Sequence, residues 1–340
     1  MPFTKEDRIK TVFNGGNHVV ILGAGASIAS TIRNPEVNGK KLPSMDNFVD
    51  VVGLRDIVES LPIKEQESNF EKLYSQLHQK NHLSPEIQEI EKRVQAYFGD
   101  MRLPDAPTIY DYLILSLRSK DLIATFNWDP FLYQAFCRNR HVGDLPHLTF
   151  LHGNVAIGYS KEDKQCGPVG MRIRKTGNYM EPTRLLYPVE KKNYTDDEFI
   201  NIEWERVKHW LKNKRTKLVT IFGYGAPVTD VEAVTLLNEA WGTSSDRPYE
   251  QFEIIDVRPE EQVRKQWDNF IHSHHYDYST DYFNSLLSRN PRRTFESYHQ
   301  HMFPLSEDEV FSESNPIPND IATLEELWAW HKPLVEAENK

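Results

Sequence analysis

The chain has little cysteine, with only Cys137 and Cys166 in 340 residues. Two are too few for a disulfide scaffold and cannot build a four-cysteine zinc site, so two reduced thiols and no structural zinc are expected. Long apolar runs are missing too. No stretch approaches the ~18 residues of a membrane-spanning helix. The opening Met1-Pro2-Phe3-Thr4-Lys5-Glu6-Asp7-Arg8 has no signal-peptide core. The expectation is a cytoplasmic protein that makes no use of a membrane. Clustered positive charge is scarce: 40 Lys+Arg face 50 Asp+Glu for a net charge of −10, and residues 301–340 hold nine of those acids against two bases. The small clusters Arg172/Arg174/Lys175 and Arg289/Arg292/Arg293 are too modest for phosphate-backbone binding and read as solvated surface. No direct nucleic-acid contact is expected. Repeats of 20–50 residues are absent, which excludes solenoids.

Aromatics are plentiful. The 17 Phe, 15 Tyr and 7 Trp supply enough apolar area to exclude disorder. Short β-type runs recur, each followed by a helical pattern: His18-Val19-Val20-Ile21-Leu22, Leu122-Ile123-Ala124-Thr125-Phe126, Leu148-Thr149-Phe150-Leu151, Lys217-Leu218-Val219-Thr220-Ile221-Phe222 and Phe252-Glu253-Ile254-Ile255-Asp256-Val257. Near-continuous apolar strands separated by helices predict an α/β fold, a parallel sheet with helices on both faces. Ligands then gather at the carboxyl ends of the strands.

The first two strands are about 100 residues apart, and helical signals fill the interval. Ser84-Pro85 starts one helix, with Ile87, Ile90, Val94 and Tyr97 on one face. An inserted helical layer at about 44–118 follows. Residues 153–193 read as loops and a hairpin. Thr195-Asp196-Asp197-Glu198 reads as a capping box, opening a helix that buries Phe199, Ile202, Val207, Trp210 and Leu211. Stretches 259–271 and 276–303 read as mainly helical, 306–320 as a linker and 323–330 as a short final helix. The expected organisation is a catalytic unit over 1–275 and a helical, acidic extension over 276–340.

Five strand ends carry the candidate chemistry. Gly23-Ala24-Gly25-Ala26-Ser27 follows the first strand; such a turn brings backbone N–H groups near a phosphate, or is simply tight. Ile28 stands where the third glycine of a dinucleotide fingerprint belongs. Thr125-Phe126-Asn127-Trp128-Asp129 ends the second strand. Asp129 before Pro130 fits a helix N-cap, whereas Asn127 sits where a strand delivers side chains to a crevice. His152-Gly153 ends the third strand and is a candidate for acid/base work. Gly223-Tyr224-Gly225, with Asp230 beyond it, ends the fourth, and Asp256 on the fifth is an acceptor for a ribose diol. Five histidines (His272, His274, His275, His299, His301) fit no metal-motif spacing, so no metal is expected.

Taken in order, these motifs over roughly residues 15–260 resemble the sirtuin superfamily, more closely its bacterial sirtuin-like branch than the protein deacylases. The resemblance implies a Rossmann-like domain and cleavage of the nicotinamide–ribose bond of NAD. By that resemblance Gly23, Ala24, Gly25 and Ser27 hold the pyrophosphate and adjoining ribose, with Asp129 among the binding residues. Asn127 positions the ribose and attacking group, and His152 is the general base. Gly223 and Tyr224 line the NAD crevice, and Asp256 binds the adenosine ribose. The chain departs from the deacylases in lacking four cysteines, in reading Ile28-Ala29-Ser30-Thr31-Ile32-Arg33-Asn34-Pro35 where they carry Gly-Ile-Pro-x-Phe-Arg, and in having Phe126 where they have Gln. Hydrolysis by water is therefore expected: an NAD glycohydrolase, in this branch often an anti-phage effector that depletes NAD. Some such effectors act with a separate partner, a hexameric translocase-type ATPase or an Argonaute-like protein, and a homo-oligomer is expected here. The alternatives are a deacylase or ADP-ribosyltransferase, a non-catalytic NAD or ADP-ribose sensor, and an assembly subunit. Aromatics after residue 260, among them Trp267, Phe270, Tyr276, Tyr278, Tyr282, Phe283, Phe295 and Tyr298, with Leu324, Leu327, Trp328 and Trp330, are expected at an assembly contact or packed back on the core.

Overall fold

The computed structural model describes residues 4–31, 40–62, 67–189, 194–226, 230–247, 250–271, 276–302 and 313–340. Each apolar run becomes a strand: β1 Asn17–Leu22, β2 Leu122–Thr125, β3 His147–Phe150, with β7 Thr216–Phe222 and β8 Gln251–Ile255 further along. Between them lie β4 Ile157–Ser160, β5 Gln165–Pro168 and β6 Glu181–Pro182, and β9 Tyr276–Ser279 comes last. The main sheet has six strands in the order β3-β2-β1-β7-β8-β9, and every adjacent pair is parallel. β4, β5 and β6 form a separate antiparallel sheet of order β5-β4-β6, which fills part of the stretch expected as loops and a hairpin.

Side chains of a strand alternate between faces, and β1 uses both. Val20 and Leu22 join a core with the inserted helices, whereas Val19 and Ile21 join a second core with Trp204, Trp241 and Trp267. The inserted layer contains helices Phe70–Asn81, Pro85–Gly99 and Ile109–Leu115. Ser84 caps the second of these through the Ile87 N–H, and Ile87, Ile90 and Val94 are buried as its periodicity requires. This is a Rossmann-like α/β core with an inserted helical layer and a helical C-terminal segment.

Several readings need correction. Residues 276–279 are a strand, the sixth of the sheet, because β9 pairs with β8 from Phe252↔Tyr276 to Ile255↔Ser279. The helix after residue 194 begins at Glu198, and its N-cap is Asp197, which accepts from the Ile200 N–H. Its Ile202 is exposed, and Ile200 and Trp204 are buried instead. In the expected linker, residues 303–312 lie outside the described set, but Ile317 is buried and its N–H donates to Ser288 O at 2.9 Å. The last helix runs Leu324–Glu338, through Pro333.

Of the Arg289/Arg292/Arg293 cluster, expected as solvated surface, only Arg289 is exposed, and Arg292 and Arg293 are 2% and 1% exposed. Both pair with Glu338 in the last turn of the final helix. Trp267, Phe270, Tyr282, Tyr298 and Leu327 are also buried within the chain, while Trp328 and Trp330 pack partly buried against the core. Cys137 is half-buried and Cys166 exposed, both as free thiols. His272, His274 and His275 lie outside the described residues, and no group of three His, Cys, Asp or Glu able to hold a metal occurs among the described ones. No described helix is long and apolar enough to cross a membrane.

Candidate active site at the sheet switch

From β1 the chain builds outward through β2 to β3, then returns to the other side of β1 and builds outward through β7, β8 and β9. The direction reverses between β1 and β7, where an open α/β sheet leaves a crevice beyond its carboxyl ends. Two glycine turns meet there. Gly23 N–H donates to Phe222 O at 3.0 Å, and Gly25 N–H donates to Gly223 O at 2.9 Å. A Cβ on Gly23 would fall 2.5 Å from Tyr224 Cα, and one on Gly223 2.3 Å from Ala26 N. Gly223 also sits at φ +61°, in the left-handed region. These glycines let two turns pack backbone against backbone.

Two chambers adjoin at this junction. The larger, about 840 Å³, is lined by Gly25, Tyr112, Asp256, Arg258 and Tyr282 among others. The smaller, about 270 Å³, is lined by Gly23, Ser27, Asn127, Asp129, His152 and Tyr224 among others. Gly223 and Gly225 line both. The larger volume falls within the ~300–1,000 Å³ of small-molecule sites and the smaller just below it.

Asn127 leaves the end of β2 and turns back toward β1. Its Nδ2 donates to Gly23 O and Ser27 Oγ, both at 2.8 Å, with Tyr110 OH at 3.2 Å. Ser27 Oγ donates to Asp129 Oδ2 at 2.6 Å, so the Tyr110 hydroxyl, 2.7 Å away, is the donor to Ser27. With its amide nitrogen spent on the protein, Asn127 has its carbonyl oxygen for a ligand. Asn154, fully buried, staples this segment from the next strand end: its Nδ2 donates to Asn127 O at 3.1 Å and Asp129 O at 2.7 Å.

His152 follows β3 and is 5% exposed. Its ring stands edge-on to Phe126 at 4.7 Å and lies parallel to Tyr194 at 6.0 Å. Its backbone is held by Leu186 N–H, which donates to His152 O at 2.9 Å. Gly153 must follow, because φ there is +76° and a Cβ would fall 2.0 Å from Arg184 O. The helix Glu198–Lys212 fixes this strand end through Trp204 Nε1, donating to Leu151 O at 3.1 Å, and Glu203, accepting from Phe150 N–H at 2.7 Å. Phe126 stacks on Tyr224 at 4.2 Å, and Tyr224 OH donates to Asp230 Oδ2 at 2.9 Å.

Asp129 is not the helix N-cap expected of it, but it lines the smaller chamber. Pro130 is the N-cap of helix Phe131–Asn139, but Asp129 Oδ1 accepts from Phe131 N–H at 3.2 Å while Oδ2 holds Ser27. Burial raises its carboxyl from 3.8 to about 6, against these hydrogen bonds, which favour the charge. The folded chain therefore holds this proton more tightly than the unfolded one, and its ionisation costs stability as pH rises from 3.8 to about 6. Asp129→Asn is spared that cost, up to ~3 kcal/mol by linkage at ~1.36 kcal/mol per pH unit. Urea denaturation at pH 4 and pH 7 should show the variant gaining on wild type as pH rises; a constant difference counts against this.

Asp256, at the end of β8, lines the larger chamber and not the smaller. Both its oxygens accept from Arg258, at 2.9 Å from Nε and 2.6 Å from Nη2. Burial pushes the carboxyl up, but the Arg258 hydrogen bonds outweigh it and hold Asp256 below the usual range. Ala24 is exposed at the smaller chamber. The crevice thus brings Asn127, His152, Ser27, Asp129 and Tyr224 to one chamber and Asp256 to the other. Tyr110, Asn154 and Arg258 were not anticipated. Asn154 and Arg258, two residues past the singled-out His152 and Asp256, carried some signal, and Tyr110 carried none.

No family model matches the sequence, and no curated protein matches it. Among solved structures, the chain is similar to a Sir2 homologue in complex with NAD, at 13% identity over 87% of this chain and 96% of that one, with a TM-score of 0.43. It is similar to a mutant Sir2 homologue with 2′-O-acetyl ADP-ribose at 11% identity, over 85% and 96%, with a TM-score of 0.46. A further mutant Sir2 homologue, with ADP-ribose, stands at 12% identity over 86% and 96%, with a TM-score of 0.36.

Proposed function

We propose that the chain is an NAD glycohydrolase, releasing nicotinamide and ADP-ribose. The observation that carries this reading is that Asn127 and His152, delivered by different strands, line one small chamber that shares the Gly223 and Gly225 wall with a larger one. Nicotinamide leaves C1′ of the ribose as a neutral base and needs little acid help. What needs help is an oxocarbenium-like centre and the approach of an oxygen nucleophile. In this reading the Asn127 carbonyl accepts a hydrogen bond from the ribose or the incoming water. His152 takes the proton from that water or a ribose hydroxyl. NAD lies with nicotinamide in the smaller chamber and adenosine in the larger, near Asp256. Gly23, Ala24, Gly25 and Ser27 border the path between them.

Unchecked NAD hydrolysis is toxic, so the proposal includes control by self-assembly or by a partner protein, as in an NAD-depleting anti-phage effector. The rim of the smaller chamber favours a second reading. Ile28 and Met45 are exposed beside it, at 46% and 37%, an apolar mouth suited to an acyl-lysine chain. One experiment separates the readings: the full chain incubated with NAD, with and without an acetyl-lysine peptide, and products followed by chromatography. Nicotinamide and ADP-ribose without peptide support the hydrolase. Release only with peptide supports the deacylase. Tight NAD binding without any release, at enzyme equal to NAD, supports a sensor.

A further inference from the structure

Three glycine N–H groups that such turns could aim at a phosphate are spent inside this protein. Gly23 N–H goes to Phe222 O, Gly25 N–H to Gly223 O, and Gly223 N–H to Ile255 O at 2.9 Å. The chambers are also rich in acid: Asp256 and Asp281 line the larger, and Glu71, Asp129 and Asp230 the smaller. Among the described lining residues of both, Arg258 is the sole Lys or Arg. It sits where the chambers meet. A Cβ on Gly225 would fall 2.4 Å from Arg258 Nη1, so the guanidinium lies on the shared turn. Asp256 grips its Nε and Nη2 edge in a two-point fork, and the side chain remains 43% exposed.

We propose that Arg258, oriented by Asp256, is the phosphate-binding residue of this crevice, and that the ligands it selects are nucleotides whose pyrophosphate crosses the Gly223–Gly225 turn. The identity of the dinucleotide rests on the NAD reading; the demand for phosphate does not. Arg258 supplies fixed charge where the Gly23, Gly25 and Gly223 N–H groups are already engaged, and Asp256 is a positioning residue that holds the guanidinium over the turn. The place on the turn, between the chambers, assigns the contact to the pyrophosphate and not to a 2′-phosphate on the ribose.

The test is calorimetric titration of the full chain with NAD, ADP, adenosine and NADP, at low and high salt. Arg258→Gln should weaken NAD, ADP and NADP by about tenfold to a hundredfold, the range of a charge-assisted hydrogen bond, and leave adenosine unchanged. Salt should weaken ADP binding to wild type and affect Arg258→Gln much less. Arg258→Lys should recover part of the loss, because it keeps the charge but not the fork. Asp256→Asn should weaken ADP more than adenosine; equal losses overturn its positioning role. Native ADP affinity in Arg258→Gln overturns the proposal, as does a loss shared by adenosine or confined to NADP. Wild type binding ADP but not NAD overturns the NAD reading and leaves this one standing. Wild type binding no phosphate-bearing nucleotide overturns both.

Discussion

His152→Ala should cut NAD cleavage by about two to four orders of magnitude, the span of a general base's contribution. Nicotinamide release at saturating NAD is the measurement. The ring packs edge-on to Phe126 and parallel to Tyr194, so its removal opens a gap beside two aromatics and the fold should persist. Asn127→Ala should be as damaging to rate and somewhat worse for stability. It removes one of two donors from each of Gly23 O and Ser27 Oγ, which keep Ala26 N–H and Tyr110 OH, at roughly 0.5–1.5 kcal/mol per hydrogen bond lost. A circular-dichroism melt beside each assay separates the two effects. A folded His152→Ala protein that releases nicotinamide at the native rate removes His152 from the mechanism.

Glu338→Ala should destabilise the chain by about 3–5 kcal/mol, the cost of breaking a buried ion pair from one side. Its carboxylate accepts from Arg292 Nε at 2.8 Å, Arg292 Nη2 at 2.5 Å and Arg293 Nη1 at 2.6 Å. The guanidiniums are otherwise held by carbonyls, Arg292 on Leu117 O at 2.9 Å and Arg293 on Ile9 O at 2.8 Å and Leu334 O at 2.9 Å. Without Glu338 both charges stay buried, with carbonyls as hydrogen-bond partners and Glu296 as the acid still near Arg293. The denaturation midpoint should fall sharply, and Glu338→Gln should fall less. Burial raises the Glu338 carboxyl, but the two arginines outweigh it and hold it below its ordinary 4.5. The pair therefore stabilises fully above pH 4.5, and that part is lost as pH falls below it. Removal of residues 336–340 with no change in midpoint would count against the clasp.

Sequence alone determined five of the six strands of the main sheet and the placing of its motifs. β1, β2, β3, β7 and β8 are legible because strands covered on both faces must be apolar along their whole length. Polar residues just past such strands have one place to go, the crevice at the carboxyl ends, which is why Asn127, His152 and Asp256 were legible together. β9 was not legible, because Tyr276-Asp277-Tyr278-Ser279 is a half-exposed edge strand with no apolar run. Tertiary structure alone decided what the charged and glycine residues do. Arg292 and Arg293 look like surface until the fold brings Glu338 to them from 45 residues away and beyond. Gly23, Gly25 and Gly223 look like a phosphate cradle until β1 and β7 prove to be neighbours whose turns consume those N–H groups. Arg258 then becomes the cation at the junction, and Tyr110 enters beneath Asn127 from the inserted helices. Hydrophobic periodicity is local and can be read along the chain. The partner of a charge or of a backbone N–H is set by which strands lie side by side, which no local pattern records.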